Sequence, residues 1–281
     1  MVDLNHMKMY HSHIDHDQEV LTDIFFYHIP KTGGISLFTG LRFAMKMDPS
    51  VDNNKQTARK FLRYDENTTA DGNLRYGLVA SHRPFGAHRI FQQQFELITM
   101  VRDPVERLRS AFTYDCMRHN QPVSRHGFEA LLKSEYNINR IVKQLSGRSR
   151  MAAQASPENL ELAQETLSRE FACYADITRL DAILEYYLSS RRLPNVVMDI
   201  LNRTDPSFSF DISDYSDEIA ERNRLDMDLV EWVRREPRLP MQTTRGPSLH
   251  PITVIITETG NSTRSEGHAR PVPTETFLSN P

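Results

Sequence analysis

Residues Phe25 to Ser36 read FFYHIPKTGGIS, an apolar run that leads straight into a lysine, two glycines and flanking hydroxyls. Lys31 supplies a mobile positive charge. Gly33 and Gly34 let the backbone approach a ligand closely and accept positive φ, Thr32 and Ser36 carry hydroxyl donors, and Ile35 offers its backbone N–H. A buried strand that ends in such a loop and continues into a helix turns amides and the positive helix end toward an anion. The chemistry implied is the holding of a phosphate or sulfate group. The order of residues departs from the nucleoside-triphosphatase loop: the lysine precedes the glycines and no GxxxxGK[ST] occurs, so a magnesium-binding hydroxyl is not specified. The same letters also suit an ordinary strand–turn–helix with a capping serine.

Two further groups carry chemistry. Val101-Arg102-Asp103-Pro104-Val105-Glu106-Arg107, followed by Ser110, places an arginine at the end of an apolar run and a serine two turns into the next helix. An arginine fork suits a phosphate monoester. Ser81-His82-Arg83-Pro84-Phe85-Gly86 follows another apolar run. A histidine there is a candidate general base near neutral pH, with Arg83 and His88 as further polar candidates. His28 lies within its own apolar run and reads as a structural histidine.

The elements that must position these residues alternate. Ile24–Ile29 reads as a central parallel strand buried on both faces, and Leu37, Leu41, Ala44 and Met45 then recur at helical spacing. Residues 48–75 are polar and read as a surface insertion. Tyr76–Ala80 and Phe95–Val101 read as strands. Asp103, Pro104 and Glu106 form a helix start, with a cap, a first-turn proline and a capping-box partner. Helices are predicted over 126–145, 157–172, 176–190 and 214–235. Strands joined by crossover helices predict an α/β fold: a P-loop-like three-layer architecture with a central parallel sheet flanked by helices. Ligands bind such sheets at the strand ends, where Lys31, His82 and Arg102 all fall.

The 281 residues suffice for one sizeable domain, predicted over 23–236. Residues 1–22, with His6, His11, His13 and His16, read as a flexible leader. Residues 237–281 hold 7 of the 15 prolines and read as a mostly disordered tail with one edge strand near Ile252–Ile256. Thirty-four Lys and Arg against 37 Asp and Glu argue against bulk nucleic-acid binding. Cys116 and Cys173 are the only cysteines and read as buried small hydrophobes, with neither a disulfide framework nor a zinc site expected. No apolar run approaches a membrane span, so the expectation is a cytoplasmic protein with no integral membrane association. Oligomeric state is not legible.

On HIPKTGGIS, VRDPVERLRSAF and SHRPFG together, the chain resembles sulfotransferases that use 3′-phosphoadenosine 5′-phosphosulfate (PAPS), in the branch related to heparan sulfate 2-O-sulfotransferase and its bacterial relatives. The likeness spans roughly residues 23–235. It continues in Asn137-Ile138-Asn139-Arg140 with Leu145-Ser146-Gly147, in Thr178-Arg179-Leu180-Asp181, and in Glu221-Arg222-Asn223-Arg224-Leu225-Asp226. The resemblance implies that Lys31, Thr32, Gly33, Gly34, Ile35 and Ser36 hold the 5′-phosphosulfate, that Arg102 and Ser110 hold the 3′-phosphate, that Arg140 contacts the nucleotide, and that His82 is the base. It implies sulfuryl transfer without a metal, to a hydroxyl of a carbohydrate, glycolipid or small-metabolite acceptor. Ile35 departs from the family's frequent threonine, and Ala80 stands before Ser81-His82. The competing expectations are a P-loop-type small-molecule kinase, which needs ATP and magnesium, and a nucleotide-binding module without catalysis.

Overall fold

The apolar run after Asp23 forms strand β1 (Ile24–Tyr27), and every side chain in it is buried. Successive residues leave opposite faces of a strand, so Ile24 and Phe26 enter one core while Phe25 and Tyr27 enter another. Cover on both faces is why the run is continuously apolar rather than alternating. The computed structural model describes residues 23–46, 60–64, 71, 74–147, 153–190, 195–198, 208–239, 253–256 and 275–278.

Strand β1 is the middle of a five-stranded, fully parallel sheet completed by β2 (Lys60–Arg63), β3 (Tyr76–Ser81), β4 (Glu96–Val101) and β5 (Phe171–Asp176) in the order β2-β3-β1-β4-β5. On one face, α1 (Gly34–Lys46) and α6 (Leu180–Ser190) bury Leu37, Leu41, Leu184 and Tyr187. On the other, α4 (Arg140–Ser146), α5 (Pro157–Glu170) and α8 (Arg224–Arg235) bury Ile141, Leu145, Leu167 and Leu229. A third cluster joins α2 (Pro104–His119), α3 (Arg125–Lys133) and α7 (Ser216–Arg222) around Phe112, Phe128 and Ile219. The fold is therefore the three-layer α/β arrangement expected, and Cys116 and Cys173 are both buried in it.

Several boundaries differ from the sequence reading. Within the expected 48–75 insertion, Lys60–Arg63 is a strand on the sheet edge; with two apolar residues in four, it carries little pattern. The helix expected over 126–145 is two helices: α3 ends at Lys133, where Ser134 turns extended, and α4 starts only after Asn139, which holds a left-handed φ of 47°. The helix expected over 157–172 stops at Glu170, and Phe171–Asp176 is a strand that passes straight into the next helical turn. The helix expected over 214–235 breaks at Asn223. Near the C-terminus, β7 (Thr253–Ile256) is not an edge strand: it lies between β6 (Asn195–Met198), parallel, and β8 (Glu275–Leu278), antiparallel. At the start of the tail, Arg238 pairs its backbone with Tyr174 of β5; the rest of the tail and the histidine-bearing leader lie outside the described residues.

Candidate active site

The parallel register sets Tyr27 opposite both Ser81 and Thr99, so β1, β3 and β4 deliver the chain to one rim of the sheet. Lys31, His82 and Arg102 follow those strand ends.

The turn after β1 is built by its own backbone. Thr32 is fully buried, and its N–H and its hydroxyl both donate to the Ile29 carbonyl, at 3.3 and 2.8 Å. Its hydroxyl is thus engaged inside the turn rather than presented outward. Lys31 and Gly33 take positive φ of 72° and 78°, which reverses the chain before α1. Ser36 and Leu37 donate to the Gly33 carbonyl. The amides of Gly34 and Ile35 fall in the first helical turn, where no intrahelical acceptor exists. Gly34 has no room for a side chain: a Cβ there would overlap the His28 imidazole.

Lys31 and Arg102 are joined. The Arg102 guanidinium donates to the Lys31 carbonyl at 3.2 Å and to Glu106 at 3.4 Å. Asp103 caps α2 by accepting from the N–H groups of Val105 and Glu106, a contact worth about 1 kcal/mol. Glu106 does not close a capping box; its carboxylate goes to Arg102 and Arg109 instead. The Lys31 ammonium sits 3.8 Å from the centroid of the Tyr114 ring, a cation–π contact. Burial brings its pKa down to about 8; Asp115 opposes this shift and Arg102 adds to it.

Next to this pair lies a cavity of about 190 Å³ lined by Arg102, Arg109, Ser110, Thr113, Ser209 and Phe210. Arg102 and Ser110, singled out separately in the sequence, thus share one hollow with a second arginine. Phe210 packs against Phe112 and Phe128, each at 5.2 Å between centroids, and so fixes the neighbouring Ser209 in the cavity lining.

The loop that carries His82 is held at three points. Ser81 donates its hydroxyl to the Tyr64 carbonyl and accepts the Arg83 N–H. The Phe85 N–H donates to the Gln144 carbonyl at 2.7 Å. Gly147, at a φ of 67°, lies so close beneath that a Cβ would meet the Phe85 carbonyl oxygen at 2.6 Å. That contact accounts for the Leu145-Ser146-Gly147 motif: it supports the histidine loop. The His82 Nε2 is 3.1 Å from the Nδ1 of His28.

His28 lies one residue beyond β1, not inside it, although its N–H continues the ladder to Ser81 at 2.9 Å. Burial holds its pKa well below the usual histidine value, reinforced by His82, Arg63 and Lys31. His88 is tied elsewhere, with its Nδ1 2.5 Å from the Tyr27 hydroxyl among Phe25 and Phe85. Arg140 is 1% exposed, stacks on Tyr136 with its guanidinium carbon 3.8 Å from the ring centroid, and is not among the residues lining the Arg102 cavity. Its motif meets another: the Asn139 N–H donates to Asn223, and the N–H groups of Ile141 and Val142 donate to the buried carboxylate of Asp226. The Glu221–Asp226 stretch of the resemblance therefore clamps the start of α4.

A family model described as Sulfotransferase family matches residues 16–224. The chain belongs to the sulfotransferase family. No curated protein matches it. Among the described residues of this sulfotransferase, no helix is long and apolar enough to cross a membrane. Sequence reasoning missed Arg109, Tyr114, Asp115 and Ser209. Tyr114 had a signal, four residues after Ser110 and so on the same helix face; Ser209 had none, since its place depends on the distant aromatic packing of Phe210.

Proposed function

We propose that this sulfotransferase moves a sulfuryl group from PAPS to an acceptor hydroxyl of a carbohydrate, glycolipid or small metabolite, with His82 as base and without a metal, in the manner of the branch related to heparan sulfate 2-O-sulfotransferase. We assign this activity to a domain over 23–236. The observation that carries the reading is the junction of Lys31 with Arg102 beside a cavity holding Arg109 and Ser110, with His82 on the same rim. A donor with anionic groups at both ends of its nucleoside needs two cationic sites within one span. The first-turn amides of Gly34 and Ile35, with Lys31 and Ser36, suit the 5′-phosphosulfate; Arg102, Arg109 and Ser110 suit the 3′-phosphate.

In this reading His82 takes the acceptor's proton as the acceptor oxygen bonds to sulfur. Lys31 stabilises the negative charge left on the phosphate oxygen when the sulfur–oxygen bond to it breaks, giving 3′-phosphoadenosine 5′-phosphate (PAP). The protein's work is positioning and charge stabilisation. The test is incubation with sulfur-labelled PAPS and an acceptor panel in the absence of ATP. Label should pass to one acceptor class, with a mass gain of one sulfate. Phosphate transfer from ATP with magnesium would instead support a kinase, and no transfer to any acceptor, with PAP still bound, a binding module.

Removal of the Arg102 side chain should weaken donor binding more than it lowers turnover at saturating donor. Calorimetry with PAP and with AMP reads this directly. Wild-type protein should prefer PAP, and Arg102→Ala should lose most of that preference. Equal affinity of the wild type for both ligands contradicts the 3′-phosphate assignment.

A further inference from the structure

We infer that His28 is a positioning residue for His82, accepting a hydrogen bond from the His82 Nε2–H and thereby fixing which nitrogen of His82 takes the acceptor's proton. The inference rests on the reading of His82 as base and adds a residue to it.

The geometry immobilises His28. Its ring stacks on Phe26 at 5.3 Å with planes 16° apart, and its other edge lies against Gly34, where even a methyl group would overlap it. Its backbone is held at both ends, the N–H by Ser81 and the carbonyl by the Gln144 side chain at 3.3 Å. Among the described residues, the polar side-chain contact of its ring is the 3.1 Å approach of Nδ1 to His82 Nε2. The charged and titratable groups around it are His82, Arg63 at the end of β2 and Lys31 in the turn, with Arg83 next along the chain from His82. All are cationic or become so, and the His28 ring is buried. His28 is therefore held neutral, with one ring nitrogen a donor and the other an acceptor.

The direction of the bond follows from the reaction. If His28 Nδ1 carried the proton, it would occupy the Nε2 lone pair of His82. Neutral His82 would then carry its proton on Nδ1, leaving no free lone pair for the acceptor's proton, and a proton gained at Nε2 would set two N–H groups facing each other at 3.1 Å. If His28 Nδ1 is the acceptor, the same contact serves neutral His82 and its imidazolium alike. Neutral His82 then has its lone pair on Nδ1, and the imidazolium is favoured because a hydrogen bond to a charged form stabilises that form.

The experiment uses the full chain saturated with PAP and reads the histidine rings by nitrogen-15 spectra across pH. In wild-type protein His82 should titrate from its Nε2–H tautomer, and His28 should stay neutral with its proton on Nε2. His28→Phe keeps the stacking but removes the acceptor, so the His82 pKa should fall by about one unit, the scale of a lost hydrogen bond to a charged group. His28→Asn returns an oxygen near the Nδ1 position and should restore much of that shift. PAP affinity should be unchanged in both, whereas turnover in the transfer assay should drop about tenfold or more in His28→Phe, part of what a general base supplies. A His82 titration and turnover unaltered in folded His28→Phe overturns the inference. So does a wild-type spectrum with the proton on His28 Nδ1, which requires no variant to fold. Full turnover by His82→Ala would defeat the base reading itself; an inactive His82→Ala beside an unaffected His28→Phe defeats only the role of His28.

Discussion

His82→Ala should turn over about 10²–10⁴ times more slowly than the wild type while binding PAP with the same affinity, the pattern of a lost general base. Among the described histidines at this end of the sheet, the surroundings of His82 suit the proposed base role best. His88 is held by the Tyr27 hydroxyl within an aromatic cluster, and burial lowers its pKa. His28 is enclosed between Phe26 and Gly34 and stays neutral. His82 is half-buried, and its loop is anchored at Ser81, Gln144 and Gly147 as well as through the histidine ring. Truncating the ring should therefore leave the loop standing, and thermal melting should stay near the wild-type value. PAP calorimetry then separates two outcomes. Retained binding with lost turnover supports the base role. Normal turnover removes His82 from it, and loss of binding together with turnover assigns it to holding the donor.

The contrast between what the sequence showed and what it hid has a physical basis. The strand ends were legible because a strand buried on both faces reads as a nearly continuous apolar run, as in Ile24–Tyr27 and in β4 from Leu97 to Val101 with Thr99 its one polar residue, and a loop residue must follow it. The Arg102–Ser110 cavity was legible in part because a capped helix start fixes the phase of the residues after it. Strand β5 was not, since Phe171–Asp176 abuts α5 with neither glycine nor proline between them. The break at Asn139 was equally hidden: its left-handed turn is stabilised by Asn223 and Asp226, more than 80 positions away. Thr32 illustrates the same limit at one side chain. Its type suggested a hydroxyl for the ligand, but the turn draws that hydroxyl inward to Ile29.

Lys31→Met should lower turnover by about 10²-fold or more, the scale of removing one preorganised stabiliser of developing charge. Methionine retains an apolar stem that packs on Tyr114 and removes only the ammonium. Lys31 already holds a positive φ as a non-glycine residue, so the substitution leaves the backbone demand of the turn unchanged. The pH dependence gives a second, independent signature. Burial sets the lysine pKa at about 8 in the ligand-free protein, so the cation is present below that value and lost as pH rises through it. Wild-type affinity for PAP should accordingly weaken as pH is raised through about 8, and Lys31→Met should bind weakly without that step. The stability of the ligand-free protein moves the opposite way. Between about 8 and the ordinary lysine range, the unfolded chain binds the proton that the folded chain has released, so this group's contribution to stability increases with pH there. Bound anion and bare fold thus pull this lysine in contrary directions. Calorimetric PAP affinity that stays flat through this interval, together with a fully active Lys31→Met, would show that the ammonium over Tyr114 is a packing feature and that the charge acting on the donor comes from the arginines alone.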